Sequence, residues 1–250
     1  MDKYGLIGYP LKHSFSQAYF NEKFSSEHID AEYINFEIAK ISEFKQIIKR
    51  HPNLKGLNVT IPYKEKIIPY LDELSANAKE IGAVNVIKFI RNKGKLRLIG
   101  HNSDIIGFKQ SIEPLLKEHH KTALILGTGG AAKAIYHGLR QLGLEAVFAS
   151  REKLKGVLLY KELDERIIHE CSVIVNCTPV GMFPTVDECL PIPYEYLTKQ
   201  HLLYDLLYNP DETLFLKHGK LRGAVVKNGL EMLLLQAFAS WEVWMGGEGR

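Results

Sequence analysis

The stretch Thr122 to Lys133, TALILGTGGAAK, constrains the fold more than any other part of the chain. Thr122 to Leu126 form a short apolar run with no helical period. Such a run suits a strand buried on both faces, as in a parallel sheet. Gly127, Thr128, Gly129 and Gly130 follow. From Ala131 the chain is helix-forming, AAKAIYHGLRQLG, and it stops at Gly143. Strand, glycine turn and helix in this order make a dinucleotide site. The glycines let the backbone turn tightly and approach a pyrophosphate, and the helix N-terminus supplies N–H groups for the anion. The competing reading is a structural glycine turn in an ordinary β–α unit. A second apolar strand, EAVFAS, at the right distance favours the nucleotide site.

The end of that second strand bears on which nucleotide. An NAD site usually carries Asp or Glu there, accepting from the ribose hydroxyls. This chain has Ser150 and Arg151, with Lys153 and Lys155 just behind. A guanidinium suits a 2′-phosphate, which a carboxylate repels, so the expected cofactor is NADP. Glu152 is the discordant charge. The alternative is a basic loop that simply faces solvent.

Composition excludes several classes. The chain has 250 residues, 46% hydrophobic and 24% charged, enough for one large domain or two small ones. A net charge of +3 is too small to imply nucleic acid. No apolar run approaches the ~20 residues of a membrane span. The start, MDKYGLIGYP, has neither a signal peptide's apolar stretch nor a transit peptide's arginines. Cys171, Cys177 and Cys189 are odd in number and form no close CxxC pair. That argues against disulfides and a zinc knuckle, and no other ligand cluster suggests a metal. A cytoplasmic protein is expected.

In chain order, KYGLIG reads as a first strand, followed by a turn, YPLKHSFS, and a helix, QAYFNEKFSSEH. Ser14 and Ser16 are expected just before that helix. They suit N-capping, and two hydroxyls at a helix start also suit a carboxylate. AEYINFEI alternates as a strand, and ISEFKQIIKRH is an amphipathic helix. Gly56 to Lys64 reads as a strand running into a turn at Pro62. Asn58 and Thr60, two apart, point to one side of it and need partners if buried. Lys64 lies close to that surface; a lone lysine is usually a solvated charge. Residues 75–83 read as helix, AVNVIKFIR as a strand containing Asn85, and NKG as a turn. KLRLIGHNSD is a strand ending in a polar loop with Asn102, Ser103 and Asp104. IIGFKQSIEPLLKEHH then reads as one helix leading into the nucleotide unit. After Arg151 the segment up to Cys171 has room for one short strand and one short helix. SVIVNCTP and HLLYDLLYNP read as buried strands, TLFLKHGK as a helix and AVV as a last strand. Leu230 to Trp244, carrying Gln236, is an apolar helix that should be buried against more than one neighbour.

These positions resemble the shikimate dehydrogenase family along nearly the whole chain. On the substrate side the matches are GYPLKHSFS, NVTIPYK, GAVN and GHNSD. On the cofactor side they are GTGGAAK, SREKLK, NCTPVGM, YDLLYNP and NGLEMLLLQAFASWEVW. The resemblance implies an α/β protein of two domains with a cleft between them. Residues 1–101 are expected as the substrate domain, 102–228 as a Rossmann-like NADP domain, and 229–250 as a helix returning to the first.

The resemblance also implies roles. Lys64 and Asp104 match the catalytic pair. Ser14 and Ser16, with Tyr208, match the hydroxyls that hold the substrate carboxylate. Asn58, Thr60, Asn85 and Gln236 match the groups around the ring hydroxyls. Gly127, Thr128, Gly129, Gly130, Ala131, Ser150, Arg151 and Lys155 match the NADP site. Thr178, Met182, Leu206 and Gly229 match the nicotinamide end. The implied reaction is NADPH-dependent reversible reduction of 3-dehydroshikimate to shikimate, in aromatic amino-acid and chorismate biosynthesis, by a monomer or homodimer. Thr128, Lys133, Ser150, Glu152 and Ser103 depart from the usual family residues, and the segment from Arg151 to Cys171 is short. Glu152, where the family usually has threonine, bears directly on the 2′-phosphate. The alternatives are a quinate/shikimate dehydrogenase with dual substrate or NAD use, a methylene-tetrahydrofolate dehydrogenase, and a non-catalytic nucleotide-binding regulator.

Overall fold

The structure, a computed structural model, describes residues 1–11 and 15–246. The chain divides into two compact units. The first comprises Met1–Ser103 together with the chain from Ala237 onward, and the second Asp104–Gln236.

The first unit contains β1 (Asp2–Gly8), α1 (Phe15–Ser26), β2 (Ala31–Glu37), α2 (Phe44–Arg50) and β3 (Leu54–Val59). It continues with β4 (Glu73–Leu74), α3 (Ala76–Ile81), β5 (Val86–Asn92) and β6 (Lys95–His101). The sheet order is β2-β1-β3-β5-β6-β4. β1 runs parallel to β2 and β3, whereas β5 is antiparallel to both β3 and β6. The antiparallel turn lies where NKG announced it. Lys93 and Gly94 both have positive φ, as a two-residue hairpin loop requires. One face of the sheet packs Phe44 and Ile47 of α2 and Ala78 of α3 over Leu54, Leu57 and Ile87. The other packs Phe20 and Phe24 of α1 against Tyr33, Val86, Val243 and Trp244.

The second unit contains α4 (Asp104–Ile112), β7 (Thr122–Leu126), α5 (Gly130–Gln141), β8 (Glu145–Ser150), β9 (Val157–Leu159) and α6 (Glu165–Glu170). β10 (Val173–Asn176), β11 (Leu202–Asp205), α7 (Leu214–Leu221), β12 (Val225–Lys227) and α8 (Leu230–Met245) follow, the last of these continuing into the first unit. All six strands of its sheet are parallel, in the order β12-β11-β10-β7-β8-β9. The unbroken apolar runs of β7, β10 and β11 now have their reason. Ala123, Ile125, Val173, Val175, Leu202 and Tyr204 face one core, and Leu124, Leu126, Ile174 and Leu203 face the other. Helices therefore cover both faces, and every position in these strands is buried or nearly so.

Two readings of the sequence change. The helix expected over IIGFKQSIEPLLKEHH stops at Ile112, and a short 3-10 turn, Glu113–Leu115, takes over. Pro114 is the cause, because it has no N–H to donate back into the helix. Ser16, expected before α1, lies inside its first turn. Ser14 lies outside the described residues. In α8, Met232 belongs to the core of the second unit, while Ala237, Val243 and Trp244 belong to a core of the first. That accounts for the apolar character of this helix. No helix among the described residues is long and apolar enough to cross a membrane.

Candidate active site

In the second unit the chain leaves β7 at Gly127. From β7 the sheet grows through β8 and β9 on one side and through β10, β11 and β12 on the other. The carboxyl ends of β7 and β10 thus flank the point where strand order reverses, the usual ligand crevice of a doubly wound sheet. Gly127 has φ +109°, and a Cβ there would lie 2.9 Å from Thr178 Cγ2. A side chain is excluded on both counts. Gly129 caps α5 in extended conformation, and a Cβ added to it would meet nothing within 4 Å. Backbone is therefore open to a ligand at the start of a twelve-residue helix, where N–H groups converge and favour an anion. Thr128 and Ala131 are half-buried beside it, as is Gly130. This cradle fits a pyrophosphate.

At the end of β8, Ser150 is buried, and its hydroxyl is used by the turn itself. Oγ donates to the Glu152 carbonyl at 2.6 Å and accepts from the Glu152 N–H at 3.2 Å. Arg151 and Glu152 project outward with side chains 87% and 72% exposed, Nε to Oε1 3.7 Å. Lys155 is exposed as well. A cationic group is therefore available to a 2′-phosphate, with a carboxylate on the next residue.

On the opposite side of the switch point, Thr178 follows β10. Its N–H and hydroxyl both donate to Asn176 Oδ1, at 2.9 and 2.7 Å. Asn176 Nδ2 donates in turn to Asp205 Oδ1 at 3.0 Å. Leu206 is half-buried, and Met182 is exposed. Gly229 is buried so tightly that a Cβ would fall 2.1 Å from the Leu206 carbonyl oxygen. Tyr208 is 37% exposed, and partial burial of its hydroxyl pushes its pKa up. Gln236 is half-buried in α8, its amide donating to the Leu233 carbonyl at 3.0 Å.

The first unit gathers a polar cluster around the ends of β3, β5 and β6. Asn58 is buried, accepts from the Tyr33 hydroxyl at 2.8 Å, and donates to the Asn85 carbonyl at 3.3 Å and Ser240 Oγ at 3.0 Å. Asn85 Nδ2 donates to Ser103 Oγ at 3.0 Å, and its Oδ1 accepts from the Ser103 N–H at 2.7 Å. Ser103 and Ser240 share a hydrogen bond at 3.1 Å. Ser16 shares one with the Tyr33 hydroxyl, whose pKa burial pushes well above the ordinary range. Ser16, Asn58 and Asn85 thus belong to one network. With both amide donors engaged, Asn58 has acceptor capacity on Oδ1 to offer a ligand. Thr60 is half-buried at the end of β3, its N–H donating to the Ile7 carbonyl at 2.9 Å. Lys64 is half-buried in the turn that follows, anchored by the Val84 N–H to its carbonyl at 2.8 Å. Asp104 is buried in the first turn of α4, at the start of the second unit.

Tyr33, Asn176, Asp205, Thr213 and Ser240 enter the sequence reading only inside longer segments, with no role of their own, and Ser103 only as a loop residue and a departure from the family pattern. Asn176 and Asp205 had a signal: each is the single polar residue ending an otherwise apolar strand, VIVN and LLYD. Ser240 had none, because a serine in an apolar helix carries no mark of the asparagine it meets.

Comparison with known proteins agrees with this geometry. Residues 6–87 match the shikimate dehydrogenase substrate binding domain. The chain is 36% identical to the shikimate dehydrogenase (NADP(+)) of Desulforamulus reducens, over 97% of this chain and 89% of that one. It is 40% identical to the enzyme of the same name from Carboxydothermus hydrogenoformans, over 97% and 91%. The crystal structure of shikimate dehydrogenase from Aquifex aeolicus superposes with a TM-score of 0.86 at 36% identity, covering 99% of this chain and 94% of that one. Likeness at this level over both units, rather than over the nucleotide turn alone, means that the chain belongs to the shikimate dehydrogenase family.

Proposed function

We infer that the protein is an NADP-dependent oxidoreductase that reversibly reduces 3-dehydroshikimate to shikimate, in aromatic amino-acid biosynthesis. The observation that carries this reading is identity of 36–40% extending over 97% of the chain. A nucleotide-binding regulator would have no need to keep the polar cluster of the first unit alongside the glycine turn of the second.

NADP(H), when bound, supplies the hydride. Gly127 to Ala131 hold the pyrophosphate, and Arg151 and Lys155 face the 2′-phosphate. Thr178, Met182, Leu206 and Gly229 line the nicotinamide end. The chain's other task is to hold the ring and move one proton. Lys64 as an ammonium stabilises negative charge developing on the ketone oxygen and donates the proton there; in the reverse direction it accepts it. Asp104 accepts a hydrogen bond from a ring hydroxyl. Ser14, Ser16 and Tyr208 bind the substrate carboxylate, and Asn58, Thr60, Asn85 and Gln236 the ring hydroxyls.

The test is the absorbance of reduced nicotinamide with purified protein and shikimate, run with NADP and NAD, and again with quinate. Shikimate-dependent reduction of NADP is expected. A folded protein that reduces neither cofactor would remove this reading. Equal rates with quinate would move it to the dual-substrate enzyme.

A further inference from the structure

Asp205 ends β11 wholly buried, and among the described residues no lysine, arginine or histidine pairs with it. Its carboxylate is held by neutral donors alone. Thr213 Oγ1 donates to Oδ2 at 2.6 Å, and Asn176 Nδ2 and the Leu207 N–H donate to Oδ1, each at 3.0 Å. Burial pushes its pKa up to about 6 against the pull of these bonds. A buried carboxylate without a cation is an expensive way to stabilise a fold. Its geometry supplies a second purpose.

A carboxylate only accepts, whereas an amide has a donor end and an acceptor end. Asp205 therefore turns the amino end of Asn176 toward itself and the Oδ1 end toward Thr178, which donates to it twice. Thr178 in turn lies against Gly127, near enough that its methyl excludes a side chain there. A second branch runs through the Leu207 N–H. It fixes the chain beside Leu206, whose carbonyl abuts Gly229. Thr213, the third partner, caps α7. One buried group thus ties together the segments leaving β10 and β11 and the start of α7, all at the carboxyl edge of the sheet. If the glycine turn holds the pyrophosphate and Arg151 at the end of β8 the adenosine side, the residues left for the other half of a dinucleotide are those at the ends of β10 and β11.

We propose that Asp205 is a positioning residue for hydride transfer, setting through Asn176 and Leu207 the two segments, carrying Thr178 and Leu206, against which the nicotinamide ring is seated. The proposal rests on the function inferred above. It is tested in the full-length protein with Asp205→Ala, Asp205→Asn and Thr178→Val. Asp205→Ala lowers kcat per folded molecule by about ten- to a hundredfold, the scale of a misplaced reacting group. The NADPH dissociation constant, read by fluorescence, changes by less than about threefold because the phosphate contacts remain. The deuterium isotope effect on kcat with shikimate labelled at the reacting carbon increases. Asp205→Asn restores kcat to within about threefold, since its Oδ1 keeps both acceptor bonds. A purely structural role would lower the melting temperature and leave kcat per folded molecule unchanged; that result overturns the proposal, as does an Asn variant as impaired as the Ala variant. If Asp205→Ala does not fold, Thr178→Val decides: a lowered kcat supports the relay and a normal one overturns it. Wild-type protein inactive with shikimate overturns the proposed function instead. In that case an unaltered emission shift of bound NADPH in Asp205→Ala overturns this proposal separately.

Discussion

Asn58 and Ser240 stand 182 residues apart in the chain and meet at 3.0 Å, the amide of a β3 asparagine donating to a hydroxyl in the last helix. Both are buried, and Ser240 is wholly so. The contact ties the end of the chain to the polar cluster where the ring hydroxyls are proposed to bind. Nearby, the Trp244 indole donates to the Ile87 carbonyl at 3.1 Å. α8 therefore docks on the first unit through specific polar bonds as well as through apolar burial.

Ser240→Ala leaves Asn58 Nδ2 with only its longer bond to the Asn85 carbonyl and removes one partner of Ser103. An unmet buried donor of this kind costs about 1–2 kcal/mol. The expected result is a melting temperature lowered by about 2–4 °C per kcal/mol, with KM for shikimate raised and KM for NADP unchanged. Calorimetry and initial rates check both parts. An unchanged KM for shikimate would separate this cluster from the substrate.

Lys64→Ala removes the proposed proton donor without touching the nucleotide turn. A loss in kcat of about 10²–10⁴-fold is expected, the usual contribution of a positioned acid or base. KM for shikimate should change only modestly, because the interaction strengthens in the transition state. Steady-state kinetics in both directions give the answer. Near-normal kcat would return Lys64 to an ordinary half-exposed lysine.

Glu152 bears on cofactor choice. Its carboxylate lies beside Arg151 on an exposed turn, where it would compete for the guanidinium proposed to face the 2′-phosphate and would repel that phosphate. Such exposed pairs contribute little to stability, so substitution is expected to leave the melting temperature unchanged. Glu152→Thr and Glu152→Gln should each raise the ratio of kcat/KM for NADP over NAD, by about three- to tenfold for removal of one repulsive charge at the surface. The increase should shrink at high salt. A ratio unaffected by either change would remove Glu152 from the site.

The titration of Asp205 predicts a pH dependence of stability. Its folded pKa, about 6, lies above its ordinary value of 3.8, so the folded state binds the proton more tightly than the unfolded chain. The associated stabilisation is complete below about pH 4 and is lost as pH rises through 6. Burial raises the pKa of both Cys189 and Tyr194, and the charge of Asp205 adds to it. Asp205→Asn cannot titrate. Denaturant melts at several pH values should show the wild type losing on the order of 3 kcal/mol relative to this variant between pH 4 and 7. Parallel curves would mean that the carboxyl is ionised throughout.

Local pattern alone was enough to place β7, the glycine turn and α5, and the short strands β10, β11 and β12. In each case the physics acts over a few residues: an apolar run buried on both faces, a glycine at positive φ, a helix start. The same holds for the hairpin at Lys93 and Gly94. Candidate residues such as Lys64 and Asp104 were legible only through resemblance, since a lysine in a turn and an aspartate at a helix start each have commoner explanations.

Other features depend on which segments meet. Pro114 was visible in the sequence, but the apolar period running past it hid the stop at Ile112. That Asn58 finds Ser240, that Asn85 finds Ser103, and that Asp205 orients Asn176 toward Thr178 are consequences of sheet order and of where α8 comes to lie. Hydrogen-bond partners of buried polar groups are selected by tertiary proximity, and no periodicity encodes them. The chain by itself determined its elements and the chemical character of its nucleotide turn; the tertiary structure decided the partners of its buried polar groups, because those bonds form only after distant strands and helices have packed.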